Sequence, residues 1–444
     1  MKPFFFGVLL LAMVFLGHST ASAATTSTSL GERLAGRILL DVEQNGEAWY
    51  VSTSTGSRYY LGRPTDAFRL MRLLGLGISD ADLARVPIEG SAEEGDAALR
   101  ERLSGRIVLQ VEQNGEAWYI DPVSLQRSYL GRPSDAFDIM VAKGLGISSA
   151  NLERVRPSPP PDFLVAFLGD QSVTQNSRAV LDLVRSEGAD LVVHMGDLGY
   201  ETNGASAWND MINEKLGTTF PYVVSIGNHD VAEWSTYEAL LEERAARTPG
   251  LFCEGELGVN ETCQYQGVLI VNSGIGTYGS DHLASLQTGL ASQDVDWKIC
   301  NWHKNQRLMQ VGGKSDETGW EVYDACREAG AIVATGHEHS YSRTYLMSDF
   351  ATQTLEHTLS SLTLEPGRTF AFVQGLAGHS IRDEEDNLGS NPWWASTYTS
   401  DNGANYGALF CRLHENGDEQ SGTCYFKDID RTVPDAFTVR SGLR

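Results

Sequence analysis

A multi-domain α/β protein is what this sequence predicts, on three observations. At 444 residues the chain exceeds what one hydrophobic core usually organises. Its first third contains an internal duplication, which reads as two small α+β repeat modules. From Asp162 onward, apolar strand-like runs alternate with helical stretches, the pattern of an α/β unit. A hydrophobic content of 41% supports globular folding throughout.

The N-terminal residues bear on compartment. Met1 and Lys2 precede an apolar run from Phe4 to Leu16 that is short for a membrane span, and Ala21-Ser22-Ala23 offers small residues where a signal peptidase reads them. Residues 1–23 are therefore expected to be a cleaved signal peptide, which implies a secreted or extracytoplasmic protein. No later stretch is apolar for about eighteen consecutive residues, so no membrane span is expected in the mature chain.

The duplication sets the organisation of the first third. VEQNGEAWY occurs at 42–50 and again at 111–119, and YLGRP recurs at Tyr60 and Tyr129, at a constant offset of 69. Each copy reads as a hairpin: an apolar run such as Arg37 to Val42, an Asn-Gly turn at Asn45 and Gly46, and a second run through Trp49 and Tyr50. Pro64 or Pro133 follows, then a helical stretch, Asp66 to Leu74 in the first copy, closed by Gly75. The expected modules span 34–87 and 103–156, separated by an Ala/Glu/Gly-rich linker at 88–102. A Pro-rich linker at 157–161, within RPSPPP, leads to a larger domain at 162–444. Trp49, Tyr50, Trp118 and Tyr119 are expected to build the small cores of these modules. The alternative is an aromatic face for glycan or cell-wall contact, with the duplication raising avidity.

In the larger domain, strands are expected at Phe163–Leu168, Leu191–Met195, Tyr222–Ile226 and Ile332–Ala334, with helices between them. Thr369–Val373, Ala408–Leu413 and Thr423–Lys427 read as a closing antiparallel region. Cys253, Cys263, Cys300, Cys326, Cys411 and Cys424 form an even set, which in an exported chain reads as disulfides. Fifteen pairings are possible; proximity makes Cys253 with Cys263 and Cys411 with Cys424 the first expectation, leaving Cys300 with Cys326.

The formal charge of -24 argues against nucleic acid as the main partner, because backbone binding needs a basic face. An anionic substrate must then be held locally. Four strands end in polar loops that contain nearly all the hard-metal ligands of the domain: GD at Asp170, GDLGY at Asp197 to Tyr200, GNHD at Asn228 and His229, and GHEH at His337 and His339. Sites in α/β sheets form outside the carboxyl ends of strands, so separate loops can converge there. A glycine before each ligand is expected to turn the backbone sharply. Any one of these motifs alone is more often a capped turn; the ordered set is the signal.

The order GD, GDLGY, GNHD, WH, GHEHSY resembles the calcineurin-like metallophosphoesterases, and within them the purple acid phosphatase branch, over residues 163–439. The superfamily usually has Asp-x-His in its first motif, whereas this chain has Asp170-Gln171-Ser172. Tyr200 stands where the purple enzymes carry a tyrosinate. The resemblance implies a metallophosphoesterase β-sandwich flanked by helices. It also implies one metal on Asp170, Asp197, Tyr200 and His339, and a second on Asp197, Asn228, His303 and His337, with Asp197 shared. A phenolate and two carboxylates suit a trivalent ion, while amide oxygen and imidazoles suit a divalent one, so Fe3+ beside Zn2+, Mn2+ or Fe2+ is expected.

The function so implied is hydrolysis of phosphate monoesters, small-molecule substrates, by metal-bound hydroxide. Phosphodiester or nucleotide hydrolysis on the same scaffold is a second reading, and an envelope-binding protein that uses the repeats is a third. His229 matches a family histidine placed to bind phosphate or protonate the leaving group. After His303 the family's further histidines are replaced by Lys304, Asn305, Gln306 and Arg307; Lys304 and Arg307 are candidate phosphate contacts, the alternative being solvated side chains. Tyr341 and Arg343 occupy family-like positions, where Tyr341 lines the pocket or anchors the loop. Asp230 replaces a more usual Glu with little expected effect on the metals. His194, inside an apolar strand, is expected to be a satisfied core residue. His379 is a candidate rim residue.

Overall fold

The computed structural model describes residues 28–43, 46–61, 70–131, 133–158 and 161–443. The expected signal peptide, the Asn45 turn position, the first half of the Asp66–Leu74 helix and part of the Pro-rich linker lie outside them.

The duplicated region builds two four-stranded sheets. Its strands are β1 (Ile38–Asp41), β2 (Ala48–Val51), β3 (Arg58–Tyr60), β4 (Leu76–Ile78), β5 (Ile107–Gln110), β6 (Ala117–Ile120), β7 (Arg127–Tyr129) and β8 (Leu145–Ile147). The expected hairpin forms in both copies, with Ile38 opposite Tyr50 and Ile107 opposite Tyr119. The sheet orders are β3-β2-β1-β8 and β4-β5-β6-β7, so each copy lends its last strand to the other. The two copies therefore interlock. Tyr50 donates its hydroxyl to the Gly105 carbonyl and Tyr119 donates to that of Gly36, both at 2.8 Å, a reciprocal pair across a pseudo-twofold axis. Between the copies lies an apolar cavity of about 40 Å³ lined by equivalent residues, among them Ile38 and Ile107, Tyr50 and Tyr119, Met71 and Met140.

Residues 88–102 do not run wholly as a spacer. Ala97–Arg102 is a helix capped by Asp96, and Leu99 is buried in the second sheet's core. It repeats Leu30–Arg33 at the offset of 69, so it is a repeat element. Trp49 and Trp118 pack against Tyr60 and Tyr129 (ring centroids 4.9 Å), and Arg58 and Arg127 lie over their faces. These aromatics are occupied by internal packing.

The larger region is a sandwich of two sheets between helical layers, the architecture expected. The first sheet contains β9 (Phe163–Leu168), β10 (Leu191–His194) and β11 (Tyr222–Val224), all parallel. The second begins with β12 (Phe252–Glu256), β13 (Asn260–Tyr265), β14 (Val268–Ser273), β15 (Trp297–Trp302), β16 (Ile332–Thr335) and β17 (Tyr341–Thr344). A separate ribbon follows, β18 (Leu346–Asp349) with β19 (Thr354–His357). The rest are β20 (Ser361–Leu364), β21 (Ala371–Gln374), β22 (Trp394–Tyr398), β23 (Gly407–Leu413), β24 (Ser421–Asp428) and β25 (Asp435–Ser441). The orders are β11-β10-β9-β23-β24-β25-β20 and β12-β13-β14-β15-β16-β21-β17-β22.

Alternation along the strands explains the layering. Phe163, Val165 and Phe167 of β9 point into the core between the sheets. Leu164, Ala166 and Leu168 point outward under helices Gln175–Glu187 and Ala205–Leu216. In β14, Val268 and Ile270 face the same central core, and Leu269 and Val271 face helices His282–Ala291 and Glu321–Glu328. A strand buried on both faces must be apolar throughout, and β9 is. Disulfides form as expected: Cys253–Cys263 and Cys411–Cys424 across paired strands, and Cys300–Cys326 from β15 to helix Glu321–Glu328. Each such closure is typically worth about 2–4 kcal/mol. Among the described residues, no helix is long and apolar enough to cross a membrane.

Candidate metal centre

Five parallel strands from the two sheets end at one place. β9 delivers Asp170, β10 delivers Asp197 and Tyr200, β11 delivers Asn228, β15 delivers His303, and β16 delivers His337 and His339. All seven predicted ligands converge. Tyr200 donates its hydroxyl to Asp170 Oδ1 and to Asp197 Oδ2, both at 3.0 Å, and lies 3.2 Å from His339 Nε2. His339 Nε2 is 3.2 Å from Asp170 Oδ1, which closes the first group. In the second, His303 Nε2 is 3.3 Å from Asp197 Oδ2 and 3.2 Å from Asn228 Oδ1, and the rings of His303 and His337 are 4.9 Å apart. Donor atoms of Asp197, His303 and His337 fall within 4.8 Å of one another. One oxygen, Asp197 Oδ2, therefore belongs to both groups.

Each carboxylate is oriented by backbone. Asp170 Oδ2 accepts the His337 N–H at 2.8 Å, and Asp197 Oδ1 accepts that of His229 at 2.8 Å, which leaves the other oxygen of each turned to the pocket. His303 donates Nδ1–H to the Met195 carbonyl at 2.7 Å, so Nε2 is the nitrogen turned to the site. His339 Nδ1 is similarly engaged by Ser380 Oγ. Left-handed backbone falls on the ligands themselves, Asp170 (φ 58), Asp197 (φ 56) and His337 (φ 68), a conformation that costs a non-glycine residue about 1–3 kcal/mol. Of the four preceding glycines only Gly196 has a positive φ. The expected role of these glycines is corrected: most permit close approach. An ideal Cβ on Gly227 would sit 2.0 Å from the Asp197 nitrogen.

The electrostatics follow from this crowding. Burial would raise the Asp170 and Asp197 carboxyls, yet the imidazoles of His339 and His303 respectively hold both below the usual range. Burial works against His303, but the Asp197 carboxylate lifts it to about 9. Burial and the Asp170 and Asp197 charges push the Tyr200 hydroxyl far above the ordinary phenol range. Two buried carboxylates, a phenol and three imidazoles gathered within a few ångströms form a donor set that cations would satisfy, and its division around Asp197 Oδ2 suits two of them.

The remaining predicted residues divide. His229 is exposed beside the pocket, its ring 4.3 Å from that of Tyr200. Tyr341 is a correction: it is fully buried and donates to Asp435 Oδ2 at 2.7 Å, so it anchors strand β17 and does not line the pocket. Arg343 joins it on Asp435 through Nε (2.6 Å) and Nη2 (2.9 Å). Lys304 and Arg307 are also corrected as phosphate contacts. Lys304 pairs with Glu317 at 2.5 Å, and Arg307 is spent on the Gly312 carbonyl and Asp386. His194 is buried but not satisfied: neither ring nitrogen has a hydrogen-bond partner, and burial depresses it to about 3.

Sequence reasoning missed two contributors, Glu317 and Glu338, and gave two others, Asp230 and His379, smaller roles than they have. Asp230 is buried and accepts the N–H groups of Asp197, Leu198 and Gly227 at 2.8–2.9 Å, thereby fixing the shared ligand's loop; burial and the Asp197 charge raise it to about 8. Its place after Asn228 and His229 was the available signal. Glu317 Oε2 lies 2.9 Å from His337 Nε2. Glu338, between the two GHEH histidines, is fully buried. His379 stacks flat on Tyr200 at 3.4 Å and so covers the ligand, beyond a rim position.

A sandwich whose parallel strands deliver this donor set at their carboxyl ends is the arrangement that metallophosphoesterase folds share. Residues 152–341 match the family model for calcineurin-like phosphoesterases, and the chain carries a domain of that family, whose members depend on a dinuclear metal site. Solved structures of similar fold include a purple acid phosphatase from yellow lupin seeds (16% identity, 64% of this chain and 55% of that one, TM-score 0.48). PhoD (15%, 64% and 70%, 0.39) and a dimetal phosphatase from Danio rerio (12%, 64% and 100%, 0.36) are similar too. The chain thus spans little more than half the length of the lupin enzyme. No curated protein sequence matches it.

Proposed function

We propose that this chain is an exported dinuclear-metal phosphomonoesterase of the purple acid phosphatase type. The observation that carries the reading is Asp197 Oδ2, placed within 3.0–3.3 Å of donors from both groups. Asp170, Asp197, Tyr200 and His339 would hold Fe3+, and Asp197, Asn228, His303 and His337 a divalent ion, Zn2+, Mn2+ or Fe2+. Such a pair supplies Lewis acidity and charge neutralisation to an in-line displacement at phosphorus. The chain's own residues do the rest. Asp230 and the His337 N–H fix the two carboxylates, His379 covers Tyr200, and the exposed His229 imidazole stands where it can meet a phosphate oxygen or give a proton to the leaving group. Ser172, where the superfamily usually has histidine, donates to Glu201 at 2.7 Å and leaves the position to Tyr200.

Three disulfides accord with an extracytoplasmic location, and the substrate would be a small phosphate ester. In this reading the chain divides into a signal peptide at 1–23, interlocked repeats up to 156 and a catalytic domain from 162. Purified protein should hydrolyse an aryl phosphate faster than an aryl phosphodiester; metal-replete protein that cleaves neither refutes the reading. Tyr200→Phe should bleach any iron(III) charge-transfer colour, and retained colour would remove Tyr200 from the ligand set.

A further inference from the structure

The loop after β15 brings one more cation to the pocket than the predicted contacts include. It is pinned to the site at two points. Gly312 packs on Glu338 so closely that an ideal Cβ there would lie 2.2 Å from the Glu338 carboxyl carbon. Glu317 reaches His337 Nε2 at 2.9 Å. Lys314 lies between these two contacts, its carbonyl held by Gln310 Nε2 at 3.1 Å. From the loop after β21 comes Arg382, whose N–H donates to the His339 carbonyl at 2.9 Å and whose Nη1 lies 3.6 Å from Glu338 Oε2.

Pairing separates these cations from their neighbours. Lys304 and Arg307 are committed to Glu317, Asp386 and the Gly312 carbonyl. Among the described residues the Lys314 ammonium has no hydrogen bond or ion pair, although the side chain is half-buried. Glu338 is fully buried, and neither of its carboxylate oxygens has a hydrogen-bond partner. A buried carboxylate without donors is costly unless cations stand close, and here the only ion pair formed is the long one to Arg382. Burial pulls the Lys314 ammonium below the ordinary lysine range, as does Arg382, whereas Glu338, Asp170 and Glu317 oppose, so these groups share one field.

We infer that Lys314 and Arg382, positioned by Glu338, form a cationic clamp beside the pocket that selects phosphate monoester dianions over diester monoanions. The inference rests on the proposed function. In a protein of charge -24 a dianion needs local positive charge beyond the metals, and an ammonium and a guanidinium on the two loops that meet at Glu338 would provide it for the non-bridging oxygens. Lys314 and Arg382 would touch substrate; Glu338 is a positioning residue.

The test uses the full metal-replete chain. Lys314→Met and the double variant with Arg382→Gln are compared with wild type for KM on an aryl phosphate and on an aryl phosphodiester, and for inorganic phosphate affinity by calorimetry. Removing Lys314 should raise the monoester KM and the phosphate Kd roughly tenfold or more, with a clearly smaller rise in diester KM. Lys314→Arg should restore most of the loss, and Glu338→Gln should raise monoester KM at unchanged metal content. An equal rise for both esters, or no change in phosphate Kd with Lys314→Met, overturns the clamp. Wild-type protein inactive on both esters would instead overturn the phosphoesterase reading itself. If the double variant fails to fold, Lys314→Met and Lys314→Arg alone decide.

Discussion

The two halves of the pocket are built differently. The Tyr200 hydroxyl lies 3.0–3.2 Å from Asp170, Asp197 and His339, and the phenol ring is covered by His379 at 3.4 Å and flanked by His229 at 4.3 Å. Around His303 and His337, the imidazoles are buried, and Glu317, paired with Lys304, reaches His337 from an irregular loop that also carries Lys314. The contrast implies a division of labour. The Tyr200 half would hold its cation under two packed rings, while the His337 half is where charged loop side chains would act on an ester.

That division can be broken or sharpened by mutation. The largest effect should come from Asp197→Ala, which removes the only donor common to both halves: both metals should be lost and kcat/KM should fall by about a thousandfold or more, read by metal analysis and aryl phosphate hydrolysis. Loss of one metal alone would mean that the halves are independent. Next is acid stability. His194 is buried behind the site with its pKa lowered from 6.5 to about 3, so the unfolded chain takes up a proton that the folded one refuses. Stability present above the unfolded value should therefore fall as pH drops from about 6.5 toward about 3, by as much as several kcal/mol. His194→Leu should flatten this fall in denaturant midpoints measured at about pH 7 and pH 4; an unchanged slope would exclude His194 as its source. The smallest effect should come from His379→Ala, which uncovers Tyr200 and loses a stacking contact of about 0.5–1.5 kcal/mol. It should shift the charge-transfer band and lower kcat/KM by roughly tenfold or less. A larger loss would give His379 a role beyond covering the phenol.

The donor set was legible in the sequence because each ligand stands within a few residues of a strand's carboxyl end, where local spacing dictates position. Phe163–Leu168 likewise announced itself, since a strand covered on both faces has to be apolar. The loop residues were not legible. Lys314 and Glu317 owe their places to contacts of Gly312 with Glu338 and of Glu317 with His337, which no local pattern encodes, and the lysine and arginine nearest His303 were the more conspicuous candidates. Tyr341 was legible as important but not as buried, because its partner Asp435 lies 94 residues away. The interlocking of the repeats was hidden for another reason. GLGIS occurs at both 75–79 and 144–148, so either copy's last strand satisfies either sheet, and only the packing of the whole region decides.

Metal content of the purified full-length chain, measured together with its visible absorption spectrum, tests the shared-ligand centre most directly. About two metal equivalents per chain, with an iron(III)–phenolate band that Tyr200→Phe abolishes, is the predicted result. A single equivalent that survives Asp197→Ala, or a band indifferent to Tyr200, would contradict it.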